Sequence, residues 1–69
     1  MIKATGFIHA SSSDLLVVLY GSTKAEIETV PGATIEGLPA DFVISPGSIA
    51  RTAEWDVGTY DVDGTWHWA

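Results

Sequence analysis

The 69-residue chain contains no cysteine, no asparagine and no glutamine. Without cysteine there is neither a disulfide nor a thiolate metal site, which are the usual reinforcements of domains this small. Without the two amide side chains, helix caps and turns must use Ser, Thr, Asp and Gly. A chain of this length buries only about 60% of its unfolded surface. We therefore expect one domain, residues 1–69, that gains further stability by self-association.

Basic residues are also scarce, because 3 Lys and Arg stand against 9 Asp and Glu, giving a formal charge of −6. A surface of that sign repels phosphate backbones and anionic headgroups, so we predict no nucleic-acid partner and no membrane partner. The apolar run Leu15–Tyr20 is far shorter than the ~20 residues needed to span a bilayer. Met1–Lys3 does not open a signal peptide. These features predict a soluble product that is made inside a cell.

Two segments of the first third have strand character. Met1–His9 alternates loosely and predicts a strand with both faces partly covered. Leu15–Tyr20 is too short for periodicity alone to separate helix from strand. The adjacent Val17 and Val18, and the stop at Gly21, favour a buried strand.

One short helix is predicted in the middle of the chain. Thr23–Glu26 fits a capping box, in which the Thr23 hydroxyl accepts from the N–H of Glu26 while Glu26 reaches back to the N–H of Thr23. The helix then runs from Lys24 to about Val30 and ends at Pro31-Gly32. Residues 33–45 form an irregular but packed connection with the apolar anchors Ile35, Leu38, Phe42, Val43 and Ile44.

The last third predicts a β-meander. Its three strands are Ser48–Ala53, Val57–Asp61 and Thr65–Trp68, with a turn at Glu54–Asp56 between the first two. The fold class is therefore mainly β: a small antiparallel β-meander or barrel-like domain with one short helix at about residues 24–30.

Two registers are open for the final hairpin. A two-residue turn at Asp63-Gly64 pairs Tyr60 with His67. A three-residue loop, residues 62–64, with a G1 bulge at Gly64 instead pairs Tyr60 with Trp66 and Gly58 with Trp68. The second register is favoured, because it collects the aromatic rings on one face and places a tryptophan over a strand glycine.

No constellation of side chains predicts catalysis. Asp61-x-Asp63-Gly64 resembles the opening of a calcium loop, but no carboxylate follows it, so a solvated turn is favoured over a weak cation site completed by Asp56. Neither His9 nor His67 has a partner at metal or triad spacing. The hydroxyls of residues 11–13 lack an oriented base. We predict no enzyme, no catalytic residue, no cofactor and no metal.

The aromatic residues of the last third carry the remaining information. For Tyr60 and Trp66 the core is the favoured location. The functional alternatives are a contact surface between protomers and a sugar-stacking platform. Trp68 is the leading interface candidate because it lies next to the terminus, where chains fray unless something docks on them. The candidate partner-contacting residues are Trp55, Trp68, His67, Tyr60 and Trp66.

Three short motifs resemble small structural proteins of tailed bacteriophages and modules of their head and tail appendages. They are Gly47–Ala50, Gly58–Asp61 and Gly64–Trp68. The resemblance implies a virion structural protein, head-associated or in a tail appendage, made in the host cytoplasm. Such a subunit assembles as a homo-oligomer, docks on other virion proteins and can serve adhesion. The alternative is a carbohydrate-binding module that presents the aromatic hairpin to a glycan.

Overall fold

The computed structural model describes residues 2–11, 14–30, 35–38 and 43–69. These residues form one six-stranded sheet and one short helix, so the mainly β class is confirmed. Within these ranges no helix has the length and apolar character needed to cross a membrane. In chain order the elements are β1 Lys3–His9, β2 Asp14–Gly21, α1 Lys24–Ile27, β3 Val43–Ile44, β4 Ile49–Thr52, β5 Val57–Tyr60 and β6 Trp66–Trp68.

The sheet is open and mixed rather than a closed antiparallel barrel. The strand order is β1-β2-β4-β5-β6, and β3 pairs separately with β2. β1–β2, β4–β5 and β5–β6 are antiparallel, whereas β2 is parallel to both β3 and β4. The parallel pairing arises because the chain crosses over through α1 before it returns to β2, as parallel neighbours require. The predicted meander is confirmed for β4, β5 and β6.

One face of the sheet, the covered face, carries the core. On β2 the buried residues Leu15, Val17 and Leu19 alternate with more exposed neighbours, as the two-residue period of a strand requires. α1 packs on β2. The buried apolar residues are Ile2, Leu15, Val17, Leu19, Ile27, Val30, Ile35, Ile44, Ala50, Tyr60 and Trp66. The predicted strand at residues 15–20 is thus confirmed, but its burial is one-sided.

The opposite face, which we call the open face, can be mapped from the strand register, because paired residues share a face. One row runs Lys3, Tyr20, Arg51 and Val57 across β1, β2, β4 and β5. The next row crosses β1, β2, β4, β5 and β6 and holds Gly6, Val18, Ile49, Thr59 and His67. A third, shorter row holds Ile8 and Leu16.

β1 is less covered than the sequence predicts. Apart from the half-buried Ala4, all of its residues are exposed, so the expectation of two partly covered faces is wrong. β1 lies at the edge of the sheet, whereas the helix packs on β2. The start of β1 is bridged by residues 35–38, where the N–H of Ala4 donates to the carbonyl of Glu36 at 2.8 Å.

The helix start confirms half of the predicted capping box. Thr23 Oγ1 accepts from the N–H of Glu26 at 3.2 Å, as predicted. Glu26 Oε1, however, accepts from the N–H of Ser22 at 2.8 Å, one residue earlier than predicted. The carboxylate therefore closes the turn that leads into α1 instead of the cap residue itself.

The helix is shorter than predicted, because it ends at Ile27 and not near Val30. The following N–H groups of Thr29 and Val30 donate three residues back, to Glu26 and Ile27, as in a tighter 3₁₀ turn. Two consecutive β-branched residues disfavour continuation of the α-helix here. The predicted stop at Pro31-Gly32 lies outside the described residues.

Residues 35–38 and 43–45 test the predicted packed connection. Ile35 and Ile44 are buried and Leu38 is half-buried, as predicted for anchors, whereas Val43 is exposed. Val43 and Ile44 form the two-residue strand β3 and are not irregular. The anchor predicted at Phe42 lies outside the described residues.

The predicted register of the last hairpin is confirmed. Tyr60 pairs with Trp66 and Gly58 pairs with Trp68. The N–H of Asp61 donates to the carbonyl of Thr65 at 3.0 Å and closes a three-residue loop. Gly64 has φ 81°, the left-handed conformation of a G1 bulge.

Candidate functional site

Two of the five aromatic and histidine candidates belong to the core. Tyr60 and Trp66 are buried, with ring centroids 5.1 Å apart and planes tilted by 53°. Trp66 Nε1 donates to the carbonyl of Val30 at 3.1 Å, which fastens β6 to the segment after α1. Their rings fill the space under the sheet and are not available to a partner.

Trp68 is half-buried and packs within its own chain. A Cβ built on Gly58 would lie 2.7 Å from the Trp68 ring, so the indole rests directly on the backbone of β5. Trp68 Nε1 reaches Glu28 Oε2 at 3.4 Å, and Lys24 Nζ lies 6.0 Å from the ring centroid. The end of the chain is thus docked on α1 and its flank.

Trp55 is the candidate that faces solvent. Its side chain is 83% exposed. Its φ is 68°, and among the described residues no other non-glycine residue has positive φ. A bulky residue in this conformation is an outlier that costs about 1 to 3 kcal/mol. Both the exposure and the backbone conformation therefore oppose tryptophan at this position.

Comparison of the two hairpins shows how unusual Trp55 is. In the β4–β5 hairpin the N–H of Thr52 donates to Asp56 O at 3.1 Å, and the N–H of Trp55 donates to Thr52 O at 3.1 Å. In the β5–β6 hairpin the equivalent bonds join residues 61 and 65 and residues 64 and 61, each at 3.0 Å. Both are three-residue loops ending in a left-handed residue. Trp55 thus occupies the position that is Gly64 in the second hairpin, and glycine is the residue such a bulge prefers.

The first hairpin is held rigidly enough to impose this conformation. Thr52 Oγ1 accepts from the N–H groups of Glu54 and Asp56 at 3.1 and 3.2 Å and donates to Asp56 Oδ2 at 3.1 Å. The N–H of Ala53 donates to Gly21 O at 3.0 Å, which ties the loop to the end of β2. The loop therefore displays Trp55 from a fixed backbone.

His67 lies in a polar cluster on the second hairpin. Its Nε2 is 3.2 Å from Asp63 Oδ2, 3.5 Å from Asp61 Oδ2 and 3.1 Å from Thr65 Oγ1. The two carboxylates and the imidazole offer ligand atoms that lie within 4.8 Å of one another. Carboxylate and imidazole groups are ligands for divalent cations. All three are exposed, and hydrogen bonds within the cluster already account for their positions.

This grouping corrects two expectations about cations. His67 does have carboxylate partners, because the bulged loop curls Asp63 back toward β6. Asp56 does not join them: it binds Thr52 and lies 3.8 Å from Lys24 Nζ. The four residues of β5 separate Asp56 from Asp61, so the two carboxylates stand at opposite ends of a strand.

The second hairpin lowers the pKa of the Asp63 carboxyl. The Thr65 hydroxyl and then the Thr65 N–H, which donate to Asp63 Oδ1 at 2.7 and 3.0 Å, favour the charged form, with a smaller contribution from His67. Because the folded-state pKa is depressed, the associated stability is present above the unfolded-state value and is lost as pH falls through the folded-state value.

Replacing Thr65 with valine is expected to raise the pKa of Asp63 toward its usual value of 3.8, because the strongest donor to its carboxylate is removed. The carboxyl carbon resonance of Asp63, followed by NMR through an acid titration, measures this pKa. Thr59→Val is the matched control on the neighbouring strand. An unchanged Asp63 midpoint in Thr65→Val would show that the hydroxyl does not hold the carboxylate.

The open face carries an exposed apolar surface. Ile8, Val18, Ile49 and Val57 are 65%, 39%, 42% and 43% exposed. An open groove of about 500 Å³ lies between β1, β2 and β4, beside the glycines of residues 6 and 47. No described residue of this chain covers it. Contiguous apolar surface of this kind marks interaction sites in soluble proteins.

The charge on the open face differs from that of the whole chain. No described carboxylate lies in the middle row, but two border the face: Glu36 is bridged to Lys3 at the outer edge of the first row, and Asp14 precedes Leu16 on the same side of β2. Lys3 and Arg51 lie in the row nearest the β4–β5 hairpin. Asp61 and Asp63 lie beyond the other end of the face, on the second hairpin.

Models of protein families, curated proteins and solved structures gave no match to this chain. The open face and the Trp55 hairpin are therefore the features from which function is argued.

The sequence alone does not reveal the open face. β2 reads Leu-Leu-Val-Val-Leu-Tyr over residues 15–20, and apolar residues on both faces hide the alternation. The continuous apolar pattern is nevertheless a signal for the open face, because a strand that is apolar on both faces has two surfaces to bury. The conformation of Trp55 also has a signal, since residues 52–56 have hairpin spacing but lack the glycine found in residues 61–65.

Proposed function

We propose that this protein is a structural subunit that works by assembling with further copies of itself through the open face of its sheet. The observation that carries the proposal is the uncovered apolar surface of residues 8, 18, 49 and 57 on a domain of only 69 residues. A chain this small gains most from oligomerisation, because its own core is limited. Packing two open faces together would give each strand its second apolar layer.

A second copy fits the open face by charge. The middle of the face is uncharged, so a chain of charge −6 can approach a copy of itself there without carboxylates meeting carboxylates. Arg51 at one end and Asp61 and Asp63 beyond the other end complement each other when two copies lie antiparallel, whereas Lys3 already has Glu36 as its neighbour within the chain. Such an interface is self-complementary, as a two-fold dimer requires.

The setting we propose is the virion of a tailed bacteriophage, in the head or a tail appendage, where the subunit also docks on other virion proteins. This part rests on the motif resemblance at Gly47–Ala50, Gly58–Asp61 and Gly64–Trp68. Repeated copies of a small, cysteine-free subunit suit a symmetric particle. Genes for capsid, portal or tail-tube proteins beside its own gene would support this setting, and a neighbourhood of metabolic genes would contradict it.

The alternative of a carbohydrate-binding hairpin receives less support. A stacking platform needs exposed rings. Tyr60 and Trp66 are buried, and Trp68 is spread over Gly58. Among the aromatic residues of the proposed platform, only Trp55 has a largely exposed ring.

Replacing Ile49 with lysine is expected to weaken self-association at least about tenfold, because assembly would then bury an unpaired charge in the middle of the apolar face. Sedimentation velocity across a concentration series, with light scattering for the molar mass, measures the dissociation constant. Ile49 is 42% exposed in the free chain, so its lysine ammonium can stay in solvent in the monomer.

Ala25→Lys is the matched control, since Ala25 is exposed on α1, which packs on the covered face and lies away from the open face. It adds the same charge and is expected to leave the dissociation constant unchanged. Equal loss of association in both variants would point to net charge rather than to the open face. A wild-type chain that stays monomeric at high micromolar concentration, or that binds glycans as a monomer, would contradict the assembly proposal.

A further inference from the structure

We infer that Trp55 is the anchor of this assembly and that its receptor is the groove between β1, β2 and β4 of a second copy. The inference rests on the proposed function, because it takes the open face as the contact between copies. It adds a specific arrangement: an antiparallel, face-to-face dimer in which each copy inserts one indole into the other.

The first support is the mismatch between Trp55 and its own position. The residue is 83% exposed and has φ 68°, where the equivalent Gly64 has φ 81°. Within the monomer, glycine would fit this bulge better and would expose no ring. Backbone strain of this kind gathers at binding sites, and tryptophan is enriched among the residues that dominate interfaces. The position therefore favours tryptophan only if a partner covers it.

The second support is the side of the sheet on which Trp55 lies. A Cβ built on Gly64 would lie 3.9 Å from the Tyr60 hydroxyl. Tyr60 is the last residue of β5 and pairs with Trp66 across that hairpin. The residue equivalent to Tyr60 in the first hairpin is Arg51. Arg51 points to the open face, whereas Tyr60 points to the covered face. The same loop geometry thus directs Trp55 to the open-face side.

The third support is a receptor of matching chemistry. The groove of about 500 Å³ is lined by apolar side chains, among them Ile8, Leu16, Val18 and Ile49. A Cβ added to Gly6 would meet no atom within 4 Å, so the missing side chain of Gly6 leaves part of that space free. An apolar pocket of this kind is where an aromatic anchor binds.

Trp55 and the groove lie at opposite ends of the open face. Trp55 lies past the row of Lys3 and Arg51, whereas the groove lies between the rows of Val18 and Leu16. An antiparallel two-fold overlay brings the hairpin end of each copy over the groove end of the other, so both contacts form at once. The same overlay brings Arg51 of each copy toward the acidic second hairpin of its partner.

In this arrangement Trp55→Gly is expected to stabilise the monomer and to weaken the dimer. The melting temperature of the monomer, measured at concentrations where the variant does not associate, rises by about 4 to 8 °C because the bulge regains its preferred residue. The dissociation constant of the dimer rises at least about tenfold because the anchor is lost. Trp55→Phe, which keeps an aromatic ring, retains an intermediate affinity.

Gly6→Leu tests the receptor without touching Trp55. Its side chain enters open space on an edge strand, so the monomer folds, while the groove is filled and the dissociation constant again rises at least about tenfold. The double variant Trp55→Gly/Gly6→Leu associates no more weakly than the worse single variant, because both substitutions remove the same contact between Trp55 and the groove. Independent, multiplying losses would overturn the assignment of this groove to Trp55.

Failure of the anchor and failure of the proposed function give different results. If Ile49→Lys abolishes the dimer while Trp55→Gly leaves its dissociation constant unchanged, the open face is the interface and the anchor is overturned. If the wild-type chain is monomeric throughout, both are overturned. If Trp55→Gly weakens the dimer and Gly6→Leu does not, the groove is overturned as the receptor.

Discussion

Replacing Trp66 with alanine is expected to remove about 3 to 5 kcal/mol from the free energy of unfolding. A domain of 69 residues has roughly 3 to 10 kcal/mol in total, so this single change removes a large part of the stability. The side chain is buried, stacks against Tyr60 at 5.1 Å between centroids, and donates from Nε1 to Val30 O at 3.1 Å. Truncation leaves a cavity and an unpaired buried carbonyl together.

Urea unfolding followed by circular dichroism measures this effect. At concentrations where the chain is monomeric, Trp55→Ala is the matched control, since it removes the same side chain from an 83% exposed position and is expected to change the unfolding free energy by less than about 0.5 kcal/mol. Trp66→Phe keeps one aromatic ring but loses the pyrrole part of the indole with its N–H donor, so it should cost about 1 to 3 kcal/mol. Equal losses in Trp66→Ala and Trp55→Ala would contradict the assignment of Trp66 to the core.

Local features of this fold could be predicted from the sequence because their determinants are neighbours in the chain. Gly64 defines the hairpin register, because a bulge at this residue places Tyr60 opposite Trp66 and Gly58 opposite Trp68. Thr23 and Glu26 define the helix start, although the carboxylate binds one residue earlier than the motif implies. In each case the competing conformations differ by a few residues, and one glycine or one hydroxyl decides between them.

Nonlocal features could not be predicted in the same way. The parallel pairing of β2 with β3 and β4 joins segments about 30 residues apart, and no local pattern encodes which strands meet. The buried Ser48 illustrates the point. Its hydroxyl accepts from the N–H of Val17 at 3.1 Å and donates to Ser45 O at 2.8 Å, so this serine just before β4 fastens β4 to β2.

The candidate site was only half predictable for a related reason. The residue type of Trp55 predicts an interface candidate, and the structure places its side chain in solvent. The proposed receptor at Val18 and Ile49 cannot be predicted from the sequence, because the exposure of these residues depends on which face of the sheet α1 covers. For Tyr60 and Trp66 the sequence favours the core, and both side chains are buried.

The two faces of β2 can be separated by a matched pair of substitutions on neighbouring residues. Leu19 is fully buried between Ala4 and Ala50 on the covered face. Leu19→Ala is expected to destabilise the monomer by about 2 to 5 kcal/mol, since a cavity remains where rigid strands prevent collapse. Val18→Ala, on the open face at 39% exposure, is expected to cost the monomer less than about 1 kcal/mol.

Association should show the reverse order. Val18 contributes to the groove, so Val18→Ala is expected to raise the dissociation constant, while Leu19→Ala at a temperature where it remains folded should leave that constant nearly unchanged. Thermal unfolding and sedimentation of the same two variants measure both quantities. Similar monomer destabilisation by both would show that Val18 is covered within the single chain. In that case the open face would not be free to receive a second copy.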